Sequence, residues 1–259
     1  MPLELSLRRL GRFLAWKLFP LADIRLTLKS GVTFPIADRS ELAMFRELAV
    51  WRVYDQFLDA LPAPRTVLDL GCHCGYFPLL IHHRARLRNV DMHAARFVLV
   101  DANFRLVQRA REVICQNQLP GEFVFISGLI GPKGQRVPFY VRRHSASSSL
   151  FKRSARARAV HLDALDLTAI MDQHLGGPVD LIKCDIEGGE LYLITDWPDV
   201  VRRTRALLIE WHDFAMGWED LTSGLGAIGF NLVAAETQGN FRVALFTPLN
   251  SSRAETCRV

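Results

Sequence analysis

The feature that most constrains this 259-residue chain is a series of short, continuous apolar runs that alternate with helix-like segments. The runs fall at 66–70, 96–100, 122–127, 179–185 and 206–211. A strand apolar on both faces is buried on both faces, and strands joined by helical crossovers lie parallel. Between the runs, 76–86 and 104–116 carry helical spacing, with Val107, Ala110 and Ile114 on one face of the second. Two further runs, 230–235 and 241–246, are separated by a short segment containing Gly239, which suits a hairpin. The expectation is an α/β fold with a mostly parallel sheet and an antiparallel last strand.

Three segments fall outside that alternation. Residues 1–62 read as an extension packed on the core. In it, 2–18 is expected to be a helix, 24–28 and 32–36 a hairpin around Lys29-Ser30-Gly31, and 40–59 one helix carrying Leu42, Phe45, Leu48, Val53 and Phe57. Within the main domain, 63–250, residues 129–162 read as an inserted hairpin. Its basic loop holds Arg142, Arg143, Lys152, Arg153, Arg156 and Arg158 around the polar run 145–149. Residues 251–259 form a tail.

Composition excludes several classes. With 49% hydrophobic and 23% charged residues the chain builds a core and is not disordered. The net charge of +5 and pI near 9.1 suit a basic solvated surface and do not by themselves select nucleic acid or membrane. Five cysteines, an odd number without framework spacing, suit reduced thiols and a cytoplasmic protein. Cys72-His73-Cys74 lacks a second ligand cluster at zinc spacing, so zinc is discounted. The apolar stretch at 5–21 is broken by Lys17 and Pro20 and does not read as a signal peptide or membrane span. Peripheral membrane contact through this basic N-terminus is compatible with its pattern, with packing on the core preferred.

The first run of the main domain ends Asp69-Leu70-Gly71-Cys72-His73-Cys74-Gly75. A strand feeding a glycine turn and then a helix places bare backbone at the carboxyl edge of the sheet, where open α/β folds bind ligands. The spacing is Asp-x-Gly-x-x-x-Gly, looser than the Gly-x-Gly-x-x-Gly turn that closes on a pyrophosphate. Its carboxylate, Asp69, suits a cationic ligand such as the methionine part of S-adenosylmethionine. Asp101, at the end of the second run, can accept hydrogen bonds from ribose hydroxyls. Ser127, at the end of the third, is expected near the adenine. The cofactor-binding set is thus Asp69, Gly71, Cys72, Gly75, Asp101 and Ser127 on a Rossmann-like sheet.

A second cluster sits at the next two strands. Lys183, Asp185 and Glu187 share one strand face if the strand runs that far, and Glu210 and His212 share a face on its neighbour. Buried charge must be paired, so the five form either an ion-pair network or a site. Their position beside the glycine turn favours a site. Asp185, Glu187 and His212 are base candidates, His212 having the pKa nearest neutrality. Asp185, Glu187, Glu210 and His212 could also ligate a divalent ion, but a metal is not favoured and none is assigned. Cys184 falls on the opposite face and reads as a buried strand cysteine.

Leu181-Ile182-Lys183-Cys184-Asp185-Ile186-Glu187-Gly188-Gly189-Glu190, with the 69–75 turn, resembles the FkbM family of class I methyltransferases and its Lys-x-Asp-x-Glu-Gly-x-Glu signature. Ser147-Ser148-Ser149-Leu150, the Leu-Asp step at Leu162-Asp163 and Glu210-Trp211-His212 resemble further segments in the same order, over about residues 65–215. Where that family often has Glu-Pro after strand two, this chain has Asp101-Ala102, which shortens the reach but keeps the role. The resemblance implies a class I methyltransferase sheet and O-methylation of a small-molecule or glycan hydroxyl. A nucleic-acid methyltransferase finds support in the basic insertion, but no aromatic residues interleave its arginines. A non-catalytic binding protein on the same fold is opposed by the intact acidic and glycine positions, and an NAD-dependent oxidoreductase by the glycine spacing.

Overall fold

The structure, a computed structural model, describes residues 24–141, 158–239 and 241–249. The helix expected at 2–18, the polar run 145–149 and the tail 251–259 lie outside the described residues. Strand β1 (Ile24–Thr27) pairs antiparallel with β2 (Thr33–Ile36), as the Lys29-Ser30-Gly31 turn predicts. Helix α1 (Arg39–Phe45) starts at Asp38, whose side chain accepts from the Ser40 and Glu41 N–H groups.

The single helix expected at 40–59 is not formed. α1 widens into a π-turn over Arg46–Val50, the chain breaks at Arg52 (φ 58°), and α2 (Asp55–Asp59) follows. The five-residue step from Leu48 to Val53 explains this. An α-helix would turn Val53 away from the core, whereas a π-turn and break return it, and both residues are buried.

The central sheet begins with β3 (Thr66–Leu70), followed by α3 (Tyr76–Leu87), β4 (Arg96–Asp101), α4 (Phe104–Asn117) and β5 (Glu122–Ser127). The expected insertion is present as an antiparallel hairpin, β6 (Arg136–Val141) with β7 (Arg158–Asp163), Arg136 opposite Asp163. Then come α5 (Leu167–His174), β8 (Leu181–Cys184), α6 (Glu190–Thr195), α7 (Pro198–Arg202), β9 (Leu207–Trp211), α8 (Trp218–Ile228), β10 (Phe230–Gln238) and β11 (Phe241–Pro248). The sheet has seven strands in the order β10-β11-β9-β8-β3-β4-β5. From β5 to β9 all pairs are parallel, and β11 runs antiparallel to β9 and β10. This is the α/β, Rossmann-like, mostly parallel sheet with an antiparallel strand that the apolar runs predict.

Alternate strand residues feed opposite layers. Val67, Phe97 and Leu208 pack with Phe34, Phe57 and Leu79, while Leu68, Val98 and Ile182 pack with Leu167, Leu193 and Trp197. The first layer includes Val32, Leu48 and Tyr54, so the segment before β3 shares the core of the sheet. Strand β8 is shorter than the run 179–185. Val179 makes only an isolated bridge with Thr204, and the chain leaves the sheet after Cys184.

The strand order reverses at β3, which lies between β4 and β8. A crevice therefore opens at the carboxyl ends of β3 and β8. There Gly71, at φ 78°, passes against Asp185: a Cβ on Gly71 would overlap the Asp185 carbonyl oxygen and lie 2.7 Å from its carbon. Gly71→Ala is expected to lower stability by roughly 3 kcal/mol or more through backbone clash and left-handed strain. Urea denaturation checks this, and an unchanged midpoint would show that the turn is not tightly packed on β8.

Candidate cofactor and acceptor site

The site is organised around one buried cation. Lys183, 5% exposed on β8, donates from Nζ to Gly71 O at 2.8 Å and lies 3.5 Å from Asp69 Oδ1 and 3.6 Å from Asp185 Oδ2. Burial works against the ammonium, but Asp69 and Asp185 outweigh it and push the Lys183 pKa up. Asp69 is fully buried and its oxygens make no hydrogen bond, so it is held by charge alone. Burial pushes the Asp69 pKa up, with Lys183 opposing. Asp69 thus faces the lysine and is not on the wall of the crevice.

The glycine turn is pinned from the other side by β4. Gly71 and Cys72 N–H groups donate to Val100 O at 2.9 and 3.0 Å. Asp101 accepts from His73 N–H at 3.1 Å and from Asn103 N–H at 2.8 Å. Burial raises Asp101 to about pKa 6 although both N–H groups favour its ionised form. Gly75 (φ 78°) caps α3 and packs on Ala110, and Cys72 is buried. Gly71 and Asp101 line the crevice, whereas Asp69, Cys72 and Gly75 shape the turn from behind. Ser127 pairs in register with Asp101 but is exposed, and its neighbour Gly128 is the residue on the cavity wall.

A cavity of about 270 Å³ runs from this turn to the ends of β8 and β9. Its far side carries Asp185, Glu187, Glu210 and His212. Glu187 lies beyond the strand at φ 48°, so strand alternation is not what places it; a left-handed turn does. His212 Nδ1–H donates to Glu190 Oε1 at 3.2 Å, and His212 Nε2 faces Glu210 Oε1 at 3.8 Å. Burial opposes the imidazolium, but the bond to Glu190 and the charge of Asp185 raise His212 to about 9. Burial and then Asp185 push Glu210 well above the carboxylate range. Cys184 faces the apolar layer opposite Lys183, as expected.

Sequence reasoning missed four contributors. Tyr54 donates to Glu210 Oε2 at 2.9 Å, Glu47 lines the cavity with a pKa raised by burial and Asp185, and Phe139 enters from the inserted hairpin. They come from segments read as accessory, and no local motif marks them. His73 is the fourth: it lines the cavity, is 6% exposed, and neither ring nitrogen has a partner. Among the described residues Cys72 and Cys74 join no metal-type cluster, and no helix is long and apolar enough to cross a membrane.

The sequence matches no protein-family model and no curated protein. Among solved structures, a protein in the NADB-Rossmann superfamily from Streptococcus agalactiae is similar at 15% identity and TM-score 0.43, over 75% of this chain and 66% of that one. The Methanococcus jannaschii fibrillarin pre-rRNA processing protein is similar at 10% identity and TM-score 0.47, over 73% and 69%. The bifunctional kinase-methyltransferase WbdD is similar at 15% identity and TM-score 0.41, over 77% and 38%. The chain therefore spans just under two thirds of the first and well under half of the third. Likeness at this level assigns no activity, and the fold rests on the strand order itself.

Lys183→Met removes the one charge that, among the described residues, offsets Asp69. The expected loss is about 3–5 kcal/mol, because a buried carboxylate is left without a partner. A double variant, Lys183→Met with Asp69→Leu, is expected to recover a large part of it. Equal melting temperatures for wild type and Lys183→Met would show that the pair does not hold the turn.

Proposed function

We propose that the chain is an S-adenosylmethionine-dependent methyltransferase that methylates a hydroxyl of a small molecule or glycan, as its resemblance to the FkbM family implies. The observation that carries this is the joining of two chemistries in one cavity: a glycine turn with Asp101 at one end, and Asp185, Glu187, Glu210 and His212 at the other. Asp101 would receive the ribose hydroxyls, and the bare Gly71 backbone would admit the amino-acid part. The acceptor hydroxyl oxygen would attack the sulfonium methyl carbon in line. The cofactor would supply the methyl group, its carbon–sulfur bond breaking with the electron pair returning to sulfur, while His212 or Glu187 would take the hydroxyl proton. An entering sulfonium cation disfavours the imidazolium, bringing His212 towards the form that accepts a proton.

The carboxylates on the wall also bear on the acceptor. Glu47, Asp185, Glu187 and Glu210 crowd one end of the cavity, which opposes a phosphate backbone and suits a neutral hydroxyl compound. An RNA methyltransferase would instead show RNA binding that weakens steeply with salt and label transfer to RNA.

S-adenosylhomocysteine is expected to bind with micromolar affinity, about −8 kcal/mol. Asp101, raised to about 6, is ionised above that pH and neutral below it. Affinity should therefore be flat above pH 7 and fall by up to about tenfold per pH unit below 6. For the empty protein the sign is opposite: this raised pKa contributes stability at low pH that is lost as pH rises through about 6. Asp101→Asn should weaken binding by roughly 1.5–3 kcal/mol and remove the acid limb. Calorimetry from pH 5 to 8 measures both; no heat with this ligand, together with saturable NAD binding, overturns the cofactor assignment.

Glu187→Gln and His212→Asn are expected to bind S-adenosylhomocysteine as the wild type does and to lose about 10²–10⁴-fold in single-turnover methyl transfer. A panel of glycan and small-molecule hydroxyl acceptors with labelled cofactor provides the assay. Full turnover in both variants refutes their assignment to the acceptor side.

A further inference from the structure

We propose that Asp185, Glu210 and His212 form a site for one divalent transition-metal ion on the acceptor side of the cavity. One ligand-type atom from each residue lies within 4.8 Å of the others. His212 Nε2 and Glu210 Oε1 face each other at 3.8 Å. Neighbouring ligands on an octahedral ion at about 2.1 Å stand about 3 Å apart, so this pair need close by only about 1 Å.

The surroundings of the three residues are those of a supported metal centre. Glu190 Oε1 accepts from His212 Nδ1–H, which turns Nε2 toward Glu210, and an ion binding there would displace the Nε2 proton. Glu190 is itself fixed, because its Oε2 accepts from Gly188 N–H at 2.7 Å. Tyr54 holds Glu210 Oε2 at 2.9 Å, leaving Oε1 for an ion. Lys183 lies 3.6 Å from Asp185 Oδ2. Each residue is thus tied through one polar atom by a group outside the cluster, and Glu210 and His212 face each other through the second. Metal-binding histidines and carboxylates are oriented in this way, and a plain surface acidic cluster is not.

Two further observations point to a ligand at this place. Five carboxylates line the cavity, Glu47, Asp101, Asp185, Glu187 and Glu210, and no lysine or arginine side chain lines it among the described residues. Lys183 behind the wall and the His212 imidazolium offset part of that charge, and a divalent ion would take the place of the imidazolium proton. His73, in the glycine turn that lines the same cavity, keeps both ring nitrogens buried and without a partner, and the charge of Asp185 reaches it. One imidazole nitrogen with two carboxylates suits manganese, iron, cobalt or zinc in the divalent state better than calcium, which takes oxygen ligands. Such an ion would bind the acceptor hydroxyl and make it more acidic. That role rests on the methyltransferase reading, whereas metal binding does not.

The test is a manganese titration of chelator-stripped protein, followed by electron paramagnetic resonance, with cobalt absorption as a second probe. The expected result is one saturable Mn²⁺ per chain, with nitrogen coupling from one imidazole in the pulsed spectrum. Asp185→Asn and His212→Gln should weaken Mn²⁺ binding at least tenfold, and Glu190→Gln by about 10–100-fold. Binding of S-adenosylhomocysteine is measured on the same samples. Cofactor binding without Mn²⁺ binding sinks the metal site alone; Mn²⁺ binding without cofactor binding sinks the methyltransferase reading alone. Bound Mn²⁺ lacking nitrogen coupling, or held as tightly by folded Asp185→Asn, also overturns the site. If the variants fail to fold, the wild-type nitrogen coupling decides.

Discussion

A buried ammonium in contact with two carboxylates and a backbone carbonyl is the interaction on which the rest of the site depends. Lys183 bonds Gly71 O and stands between Asp69 and Asp185, so one side chain joins the ends of β3 and β8. Neither Asp69 nor Lys183 could be buried alone, because an isolated ion in a low-dielectric interior loses far more in solvation than packing returns. Together they are tolerated, and they hold the glycine turn against the strand. The close approach of Gly71 to the Asp185 backbone is the steric half of the same junction.

Two consequences follow for chemistry. Asp185 is held at a fixed place on the cavity wall, and its charge reaches Glu47, Glu210 and His212. The accessory segments then complete the cavity. The stretch before β3 supplies Met44, Glu47 and Tyr54, and the inserted hairpin supplies Phe139. The glycine turn and the charged strand ends lie on the central sheet, and the rest of the wall comes from elements outside that sheet.

Much of the architecture was legible because its cause is local. A five-residue apolar run followed by Gly or Asp has few solutions other than a buried strand and a turn, and 66–70, 96–100 and 122–127 each formed a strand with nearly those bounds. The hairpin around Gly31 followed from its turn residues. The segment 40–59 was misread because apolar spacing shows which residues face the core but not how the backbone gets them there. Leu48 and Val53 both had to be buried, and a π-turn was the route.

The site divides along the same line. Sequence alone determined that Gly71, Asp101, Lys183, Asp185, Glu210 and His212 stand at strand ends, since strand period and turn chemistry operate over a few residues. Tertiary structure decided which of them face ligand and which face one another. Asp69 turned inward to Lys183, Ser127 turned out to solvent, Glu47 and His73 joined the cavity, and Tyr54 bonded Glu210 from behind it. Charge pairing, close packing and hydrogen-bond satisfaction act between residues as far apart as Tyr54 and Glu210, 156 positions along the chain. No periodicity records such a distance; only the folded sheet brings the two together.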